Sequence, residues 1–172
     1  MKVKKLFALL LAAVVALSAT AVAAEYRYED DIAFTYDENS FEITMEDHTD
    51  DEDLIIITAT DEAWGNTYIR IHLADLDDGE TFPTADEFTA MPGAGEVVQG
   101  EWNGYSDVFM YAVENEDGSS DNYFIAPVTD DDGEIEAILT IVIGINPIED
   151  EETGIARDDM ISEVMDTLWI SD

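Results

Sequence analysis

The chain has no cysteine among its 172 residues. Disulfide bonds are therefore excluded, and so are thiolate ligands for zinc and cysteine nucleophiles for hydrolysis. Only two histidines are present, His48 and His72, and their wide separation argues against a zinc site. The hydrophobic core must therefore carry the stability of the fold without covalent cross-links.

Basic residues are scarce as well. The chain has six lysines and arginines against 42 aspartates and glutamates, and from residue 25 onward only three arginines remain, which gives that part a formal charge of −39. Such a polyanion is repelled by nucleic acid and by anionic lipid, and three arginines are too few to cradle phosphate groups. We therefore expect no nucleic-acid partner, and we interpret the charge as a means of solvation in a salty or acidic environment.

Residues 1–24 have the three parts of a cleavable secretory signal peptide. Three lysines lie within the first five residues, an apolar segment follows at 6–17, and small residues lead up to Ala24. The apolar segment is too short to span a bilayer, which argues against a membrane anchor. We place the cleavage after Ala23 or Ala24, and we expect a secreted, extracellular protein with no membrane span after cleavage.

Residues 25–172 have the size of a single domain, and no linker, repeat or low-complexity block divides them. Their aromatic and β-branched residues recur at regular spacing, which indicates a folded chain in spite of the charge. We expect a monomer in which only residues 25–30 and the last two residues are loose.

The first half of this region has the two-residue period of β-strands. Alternating apolar residues at 32–36 and 41–45 flank a turn at 37–40 and predict a hairpin. A continuous apolar run at 54–57, rich in β-branched residues, predicts a buried strand, and residues 68–73 alternate again.

A short helix separates these strands from the rest of the chain. Thr84 and Glu87 form a capping box, and Pro92-Gly93 ends the segment, which predicts a helix over 84–91. A four-stranded meander with a tight turn at Asn103-Gly104 is predicted next, over residues 97–102, 105–114, 122–128 and 135–145. The last of these strands is apolar on both faces and is expected at the centre of the sheet.

The chain ends in a second predicted helix, over 151–169, whose apolar residues follow helical spacing. The order of these segments predicts an α+β fold, in which a short mid-chain helix and a long C-terminal helix pack on a largely antiparallel sheet.

Several segments together resemble the PsbP-like α/β/α sandwich. They are the opening Phe34-Thr35-Tyr36-Asp37 and Phe41-Glu42-Ile43, the mid-chain helix, the meander, and the closing helix that contains Asp159-Met160-Ile161. Where that family has an apolar-Pro-x-x-Trp step, this chain has Asp47-His48-Thr49-Asp50. The resemblance implies a non-enzymatic domain of exported or organelle-lumen proteins, used for binding or assembly, and it assigns no functional residue.

The sequence contains no recognisable catalytic motif. A serine nucleophile would need His48 or His72 as its base, and no Gly-x-Ser-x-Gly elbow is present. We expect His72 to be a surface or half-buried strand histidine and His48 to be a solvated partner of Asp47 or Asp50. Among 42 carboxylates some pair always lies at a suitable distance, so carboxylate pairs do not indicate a glycosidase. We therefore predict no catalytic and no cofactor-binding residue.

Calcium is the one cofactor that the composition allows, because it binds carboxylate oxygens. No EF-hand loop fits the acidic clusters: with Gly133 at the sixth position, Val128 and Leu139 occupy the first and last positions, where carboxylates are required. The remaining candidate is a weak calcium site in one acidic turn, and the alternative is that this turn is simply solvated. Its ligands would be Asp130, Asp132 and Glu134.

Three functional hypotheses follow from these observations. The first is a secreted, non-catalytic binding or assembly domain with an unknown protein or cell-envelope partner. The second is an extracellular calcium-dependent module, and the third is a small secreted hydrolase. Trp64, Trp102 and Trp169 could line a sugar site, although core or rim positions are the more common roles of tryptophan.

Overall fold

The structure is a computed structural model that describes residues 23–29, 31–77, 79–91, 93–130 and 132–170. Residues 1–22 of the predicted signal peptide therefore lie outside the described residues, and so do the last two residues of the chain. No helix within the described ranges is long and apolar enough to cross a membrane.

Within these residues the chain forms ten strands, two α-helices and one short 3₁₀ turn at Glu62–Trp64. The helices are α1 (Ala85–Thr89) and α2 (Glu151–Thr167). The strands are β1 (Ala23–Tyr28), β2 (Ile32–Asp37), β3 (Phe41–His48), β4 (Glu52–Ala59), β5 (Tyr68–Asp75), β6 (Val98–Trp102), β7 (Tyr105–Glu114), β8 (Ser120–Thr129), β9 (Ile135–Ile145) and β10 (Trp169–Ile170). Strands hold 52% of the described residues, so the architecture is mostly β and the α+β label fits it only roughly.

Seven strands form one antiparallel sheet in the order β3-β4-β5-β9-β8-β7-β6. The predicted meander β6 to β9 is confirmed, and β9 lies at the centre of the sheet as expected. Leu139 and Ile141 of β9 are fully buried on one face, while Val142 is buried on the other. The apolar residues on both faces of this strand therefore did indicate its central position.

One face of the seven-stranded sheet packs against α2 and a small sheet of order β1-β2-β10. Ile161 and Val164 of α2, together with Phe34 of β2, share a core with the inward side chains of the large sheet. Arg157 is also buried on α2, and its guanidinium donates a hydrogen bond to the carbonyl oxygen of Asn146 at 2.7 Å. This bond ties the helix to the chain that leaves β9.

The opposite face carries a smaller core around α1. The Glu87 carboxylate accepts hydrogen bonds from the backbone N–H and the hydroxyl of Thr84, as the capping box predicted. Phe88 of α1 packs against Phe109 and Tyr111 of β7. The short helix is therefore held by aromatic packing rather than by its own length.

Two expectations about strand pairing are wrong. Strands β2 and β3 do not form a hairpin, because β2 pairs with β1 and β10 while β3 pairs with β4 in the other sheet. Residues 25–28 are not loose, because they pair in register with residues 32–35 of β2. Alternation shows which side chains a strand buries, but it does not show which strand lies beside it.

The end of the chain also differs from the prediction. Helix α2 ends at Thr167, two residues before the predicted end, and Trp169–Ile170 form β10 against β2. Both Leu168 and Ile170 are buried, so this short strand is anchored in the core.

Candidate functional site

A cleft lies where the β6–β7 turn meets the C-terminal segment. It has a volume of about 510 Å³. We call it the aromatic cleft, and it is lined by residues 103–106, Pro127, Thr129 and residues 166–170. These three chain segments are far apart in the sequence, so only the fold brings them together.

Turn chemistry and edge pairing build the aromatic cleft. Asn103 and Gly104 have φ values of +49° and +90°, as a tight hairpin turn requires. The Asn103 side-chain amide donates a hydrogen bond to the carbonyl oxygen of Leu168, which holds the turn against the C-terminal segment. The pairing of β10 with β2 fixes that segment from its other side. The cleft is therefore a preformed feature of the fold.

Two aromatic residues, Tyr105 and Trp169, are among those that line this cleft. The Trp169 residue is 49% exposed, whereas Trp64 is buried beside Phe41 with ring centroids 5.8 Å apart. Tyr105 stacks on Trp102 with ring centroids 6.0 Å apart and the ring planes inclined by 15°. The core role expected for tryptophan is confirmed for Trp64, whereas Trp169 lines an open cleft.

Several polar groups in the aromatic cleft have no side-chain hydrogen-bond partner among the described residues. The Ser106 and Thr129 hydroxyls, the Asp166 carboxylate and the Trp169 indole N–H form no side-chain hydrogen bond to any described residue. By contrast, the Thr167 hydroxyl accepts a bond from the Thr35 N–H at 2.9 Å. The cleft therefore offers donors and acceptors that the fold does not use.

A second cleft, of about 420 Å³, lies beside the β1–β2 and β3–β4 turns. We call it the acidic cleft, and it is lined by Tyr28, Glu29, Asp31, residues 49–53, Leu73, Asp75, Val128, Glu136 and Ala137. Eight of these residues carry carboxylates. Even so, within the described ranges no group of three or more histidine, aspartate or glutamate side chains is arranged to hold a metal ion.

His48 joins the two sheets at the edge of the acidic cleft. Its ring stacks on Tyr28 of β1 with ring centroids 3.4 Å apart. Its Nδ1 lies 2.7 Å from Asp53 Oδ1, and its Nε2 lies 3.1 Å from Glu46 Oε1 and 3.3 Å from the Tyr26 hydroxyl. Both ring nitrogens are thus engaged within the protein, so His48 is a structural link and not a free base.

The surroundings of His48 shift several pKa values. Burial lowers the pKa of His48, but the hydrogen bonds to Asp53 and Glu46 outweigh it, so the net pKa is raised. Burial and the bond to Glu46 raise the pKa of Tyr26, while the bonds from Tyr26 and His48 lower the pKa of Glu46. These groups therefore form one coupled hydrogen-bond network.

The predicted partners of His48 were wrong, because Glu46 and Asp53 take the place of Asp47 and Asp50. In β3, residues 46 and 48 point to the same face, and the strand register sets His48 opposite Asp53. His72 is a half-buried strand residue as expected, with Nε2 3.1 Å from Glu52 Oε2.

The predicted calcium ligands lie in the β8–β9 turn. Asp130 Oδ1 accepts hydrogen bonds from the backbone N–H groups of Asp132 at 3.0 Å and Glu134 at 2.8 Å, so this oxygen closes the turn. The backbone N–H of Gly133 bonds to the Asp130 carbonyl oxygen at 2.9 Å. The turn accounts for the Asp130 carboxylate, and the calcium site remains a prediction.

Arg70 is a further polar feature outside both clefts. It lies on the outer face of β5 between Ile56 and Val142, and its buried Nε has no hydrogen-bond partner among the described residues. The other two arginines pair with Glu25 and Asp158. A single guanidinium on a sheet face does not define a site.

Sequence reasoning identified Trp169 and the Asn103-Gly104 turn but missed the rest of the aromatic cleft. Tyr105, Ser106, Thr129 and Asp166 belong to no motif, and their separation in the sequence gave no signal that they meet. Comparison with known proteins adds no assignment, because no family model, curated protein or solved structure matches this chain.

Proposed function

We propose that this chain is an exported, non-catalytic binding domain and that the aromatic cleft is its ligand site. The observation that carries the proposal is the set of unpaired polar groups around the exposed Trp169 ring. Binding sites typically combine a concave shape, aromatic or apolar walls and a few polar groups that orient the ligand. The aromatic cleft combines all three.

Three further features support a binding role without catalysis. Neither histidine lines the aromatic cleft, and its single carboxylate, Asp166, has no second acid or base beside it among the lining residues. A hydroxyl nucleophile needs a base beside it, and glycoside hydrolysis typically uses two carboxyl groups. His48, the histidine with the closest partners, is committed to the link between the sheets.

Export is part of the proposal because of the signal-like pattern at residues 1–24. The PsbP-like resemblance points the same way, toward binding or assembly in an exported protein. The calcium-dependent module and the hydrolase are the alternatives.

The test is a thermal-shift screen of the purified protein against neutral, cationic and anionic small molecules. We expect at least one compound to raise the melting temperature, and we expect Trp169→Ala to weaken its binding. Met45→Ala is the matched control, because Met45 is 48% exposed and lies on the edge strand β3, away from the cleft.

Two results would contradict the proposal. One is that every compound that binds does so equally well to the Trp169→Ala variant. The other is that the protein converts a bound compound to product, which would favour the hydrolase.

A further inference from the structure

We infer that the ligand of the aromatic cleft is a neutral saccharide. This inference rests on the proposed function, since it names the class of ligand for the same site. Its support comes from the ring surfaces, the unpaired polar groups and the charge of the lining residues.

The ring surfaces suit the apolar faces of a sugar. A pyranose ring presents C–H groups on its faces and hydroxyl groups around its edge, so it packs flat on an aromatic ring while its edge stays polar. Trp169 offers an exposed ring at the cleft, and Tyr105 adds a second aromatic ring that its stack on Trp102 supports. Large aromatic side chains combine apolar area with a polar handle, which matches a ligand of this kind.

The unpaired polar groups suit the hydroxyl groups of a sugar. The Ser106 and Thr129 hydroxyls can each donate and accept, the Asp166 carboxylate accepts, and the Trp169 N–H donates. A ligand that is rich in hydroxyl groups can pair with the donors and with the acceptors at the same time. A purely apolar ligand would leave these groups desolvated and unpaired, which is unfavourable.

The charge of the protein selects a neutral ligand. No lysine, arginine or histidine is among the described residues that line the aromatic cleft, and Arg27, which lines an adjoining cleft with Trp169, is already paired with Glu25. An anion therefore finds no unpaired counter-charge among these residues and is repelled by the strongly negative chain. A cation finds one carboxylate in this cleft but eight in the acidic cleft. A neutral ligand is neither repelled by the negative charge of the protein nor attracted to the acidic cleft.

The experiment is calorimetric titration of the purified protein with neutral disaccharides, with an anionic uronic-acid disaccharide as comparison. We expect a neutral disaccharide to bind with an affinity that stays constant from about 0.1 M to about 1 M NaCl, since no ion pair is screened. Trp169→Ala should weaken binding roughly tenfold to a hundredfold, as is typical for a tryptophan at the centre of a site.

Two further variants separate loss of contact from loss of fold. Thr129→Val keeps the shape of the side chain and removes only the hydroxyl, and it should weaken binding roughly threefold to tenfold. Met45→Ala should leave the affinity unchanged. The melting temperature of each variant is measured alongside, to show that the fold is kept. Trp169→Phe keeps an aromatic ring in β10 and should retain part of the affinity.

The outcomes distinguish the inference from the proposed function. If a charged or apolar compound binds with Trp169 dependence and no neutral saccharide does, the saccharide assignment is wrong and the proposed binding site stands. If every neutral saccharide that binds does so equally well to the Trp169→Ala variant, the saccharide assignment is wrong. If no compound of any class binds, or if every compound that binds does so equally well to that variant, both are wrong.

Discussion

The aromatic cleft and the acidic cleft are similar in volume, about 510 and 420 Å³, and opposite in chemistry. Both reach the end of β8, where Pro127 and Thr129 line the first and Val128 lines the second. The described residues of the acidic cleft carry eight carboxylates, and among described residues no group of three or more is arranged to hold a metal ion. The aromatic cleft holds one carboxylate and a mixed set of unpaired groups.

The difference shows that a high density of one charge does not make a site. Near the acidic cleft, the side chains that are fixed most firmly serve the fold: Asp53 and Glu46 hold His48. Elsewhere Asp37, Asp130 and Asp150 accept backbone hydrogen bonds in turns or at a helix start. A binding site needs several kinds of group held toward one space, as they are in the aromatic cleft.

The largest expected effect is on stability, and it compares one leucine from each cleft. Leu168 is 2% exposed and belongs to the core, so Leu168→Ala should lower the free energy of unfolding by about 2–5 kcal/mol. Leu73 in the acidic cleft is only partly buried, so Leu73→Ala should cost less than half as much. Urea denaturation measures both, and equal losses would show that the aromatic cleft is not more firmly built into the core.

The next effect concerns His48 at the edge of the acidic cleft. His48→Phe keeps a ring that can stack on Tyr28 but removes the partner of Asp53 and one of the two partners of Glu46, which keeps its bond from the Tyr26 hydroxyl. The free energy of unfolding should therefore fall by about 1–3 kcal/mol. His72→Phe is the control, because that histidine is more exposed and has a single carboxylate partner. An effect of His72→Phe as large as that of His48→Phe would refute the special role of His48.

The raised pKa of His48 also predicts a pH dependence. Because the folded pKa lies above the unfolded value of about 6.5, the stabilisation by His48 is fully present below that value and is lost as the pH rises through the folded pKa. As the pH rises from about 5.5 to about 8.5, the denaturation midpoint of the unsubstituted protein should therefore fall. In the His48→Phe variant this fall should be reduced.

The smallest effect tests whether the acidic cleft is only a concentration of charge. Asp51→Asn removes one exposed carboxylate from it and should raise stability by about 0.5 kcal/mol or less, an effect that high salt abolishes. Asp37→Asn is the contrasting change, because the hydrogen bonds from Asn39 and Ser40 outweigh burial and lower the pKa of Asp37. That variant should be destabilised.

Divalent cations extend the same test. If the acidic cleft lacks a ligand set, calcium and magnesium at equal ionic strength should raise the melting temperature equally, by screening alone. A saturable calorimetric signal with calcium and not with magnesium would instead support the calcium-dependent alternative, and the Asp130→Asn and Glu134→Gln variants would locate it.

Much of the fold follows from local pattern. The capping box at Thr84, the tight turn at Asn103-Gly104, the strands of the meander and the central place of β9 all come from signals that span a few residues. The pairing of β2 and the formation of a strand at Trp169–Ile170 do not follow from local pattern. A short strand pairs with a sheet edge that is unpaired in the rest of the fold, and distant residues determine which edge that is.

By itself, the sequence determined the charge, the lack of thiol chemistry and the type of most elements, since composition and periodicity are local properties. Only the tertiary structure decided which side chains meet. It paired His48 with Asp53 and Glu46, and it set Trp169 beside Tyr105, Ser106 and Thr129. The physical reason is that a site depends on contacts between distant segments, and strand register and sheet order determine those contacts rather than any short run of residues.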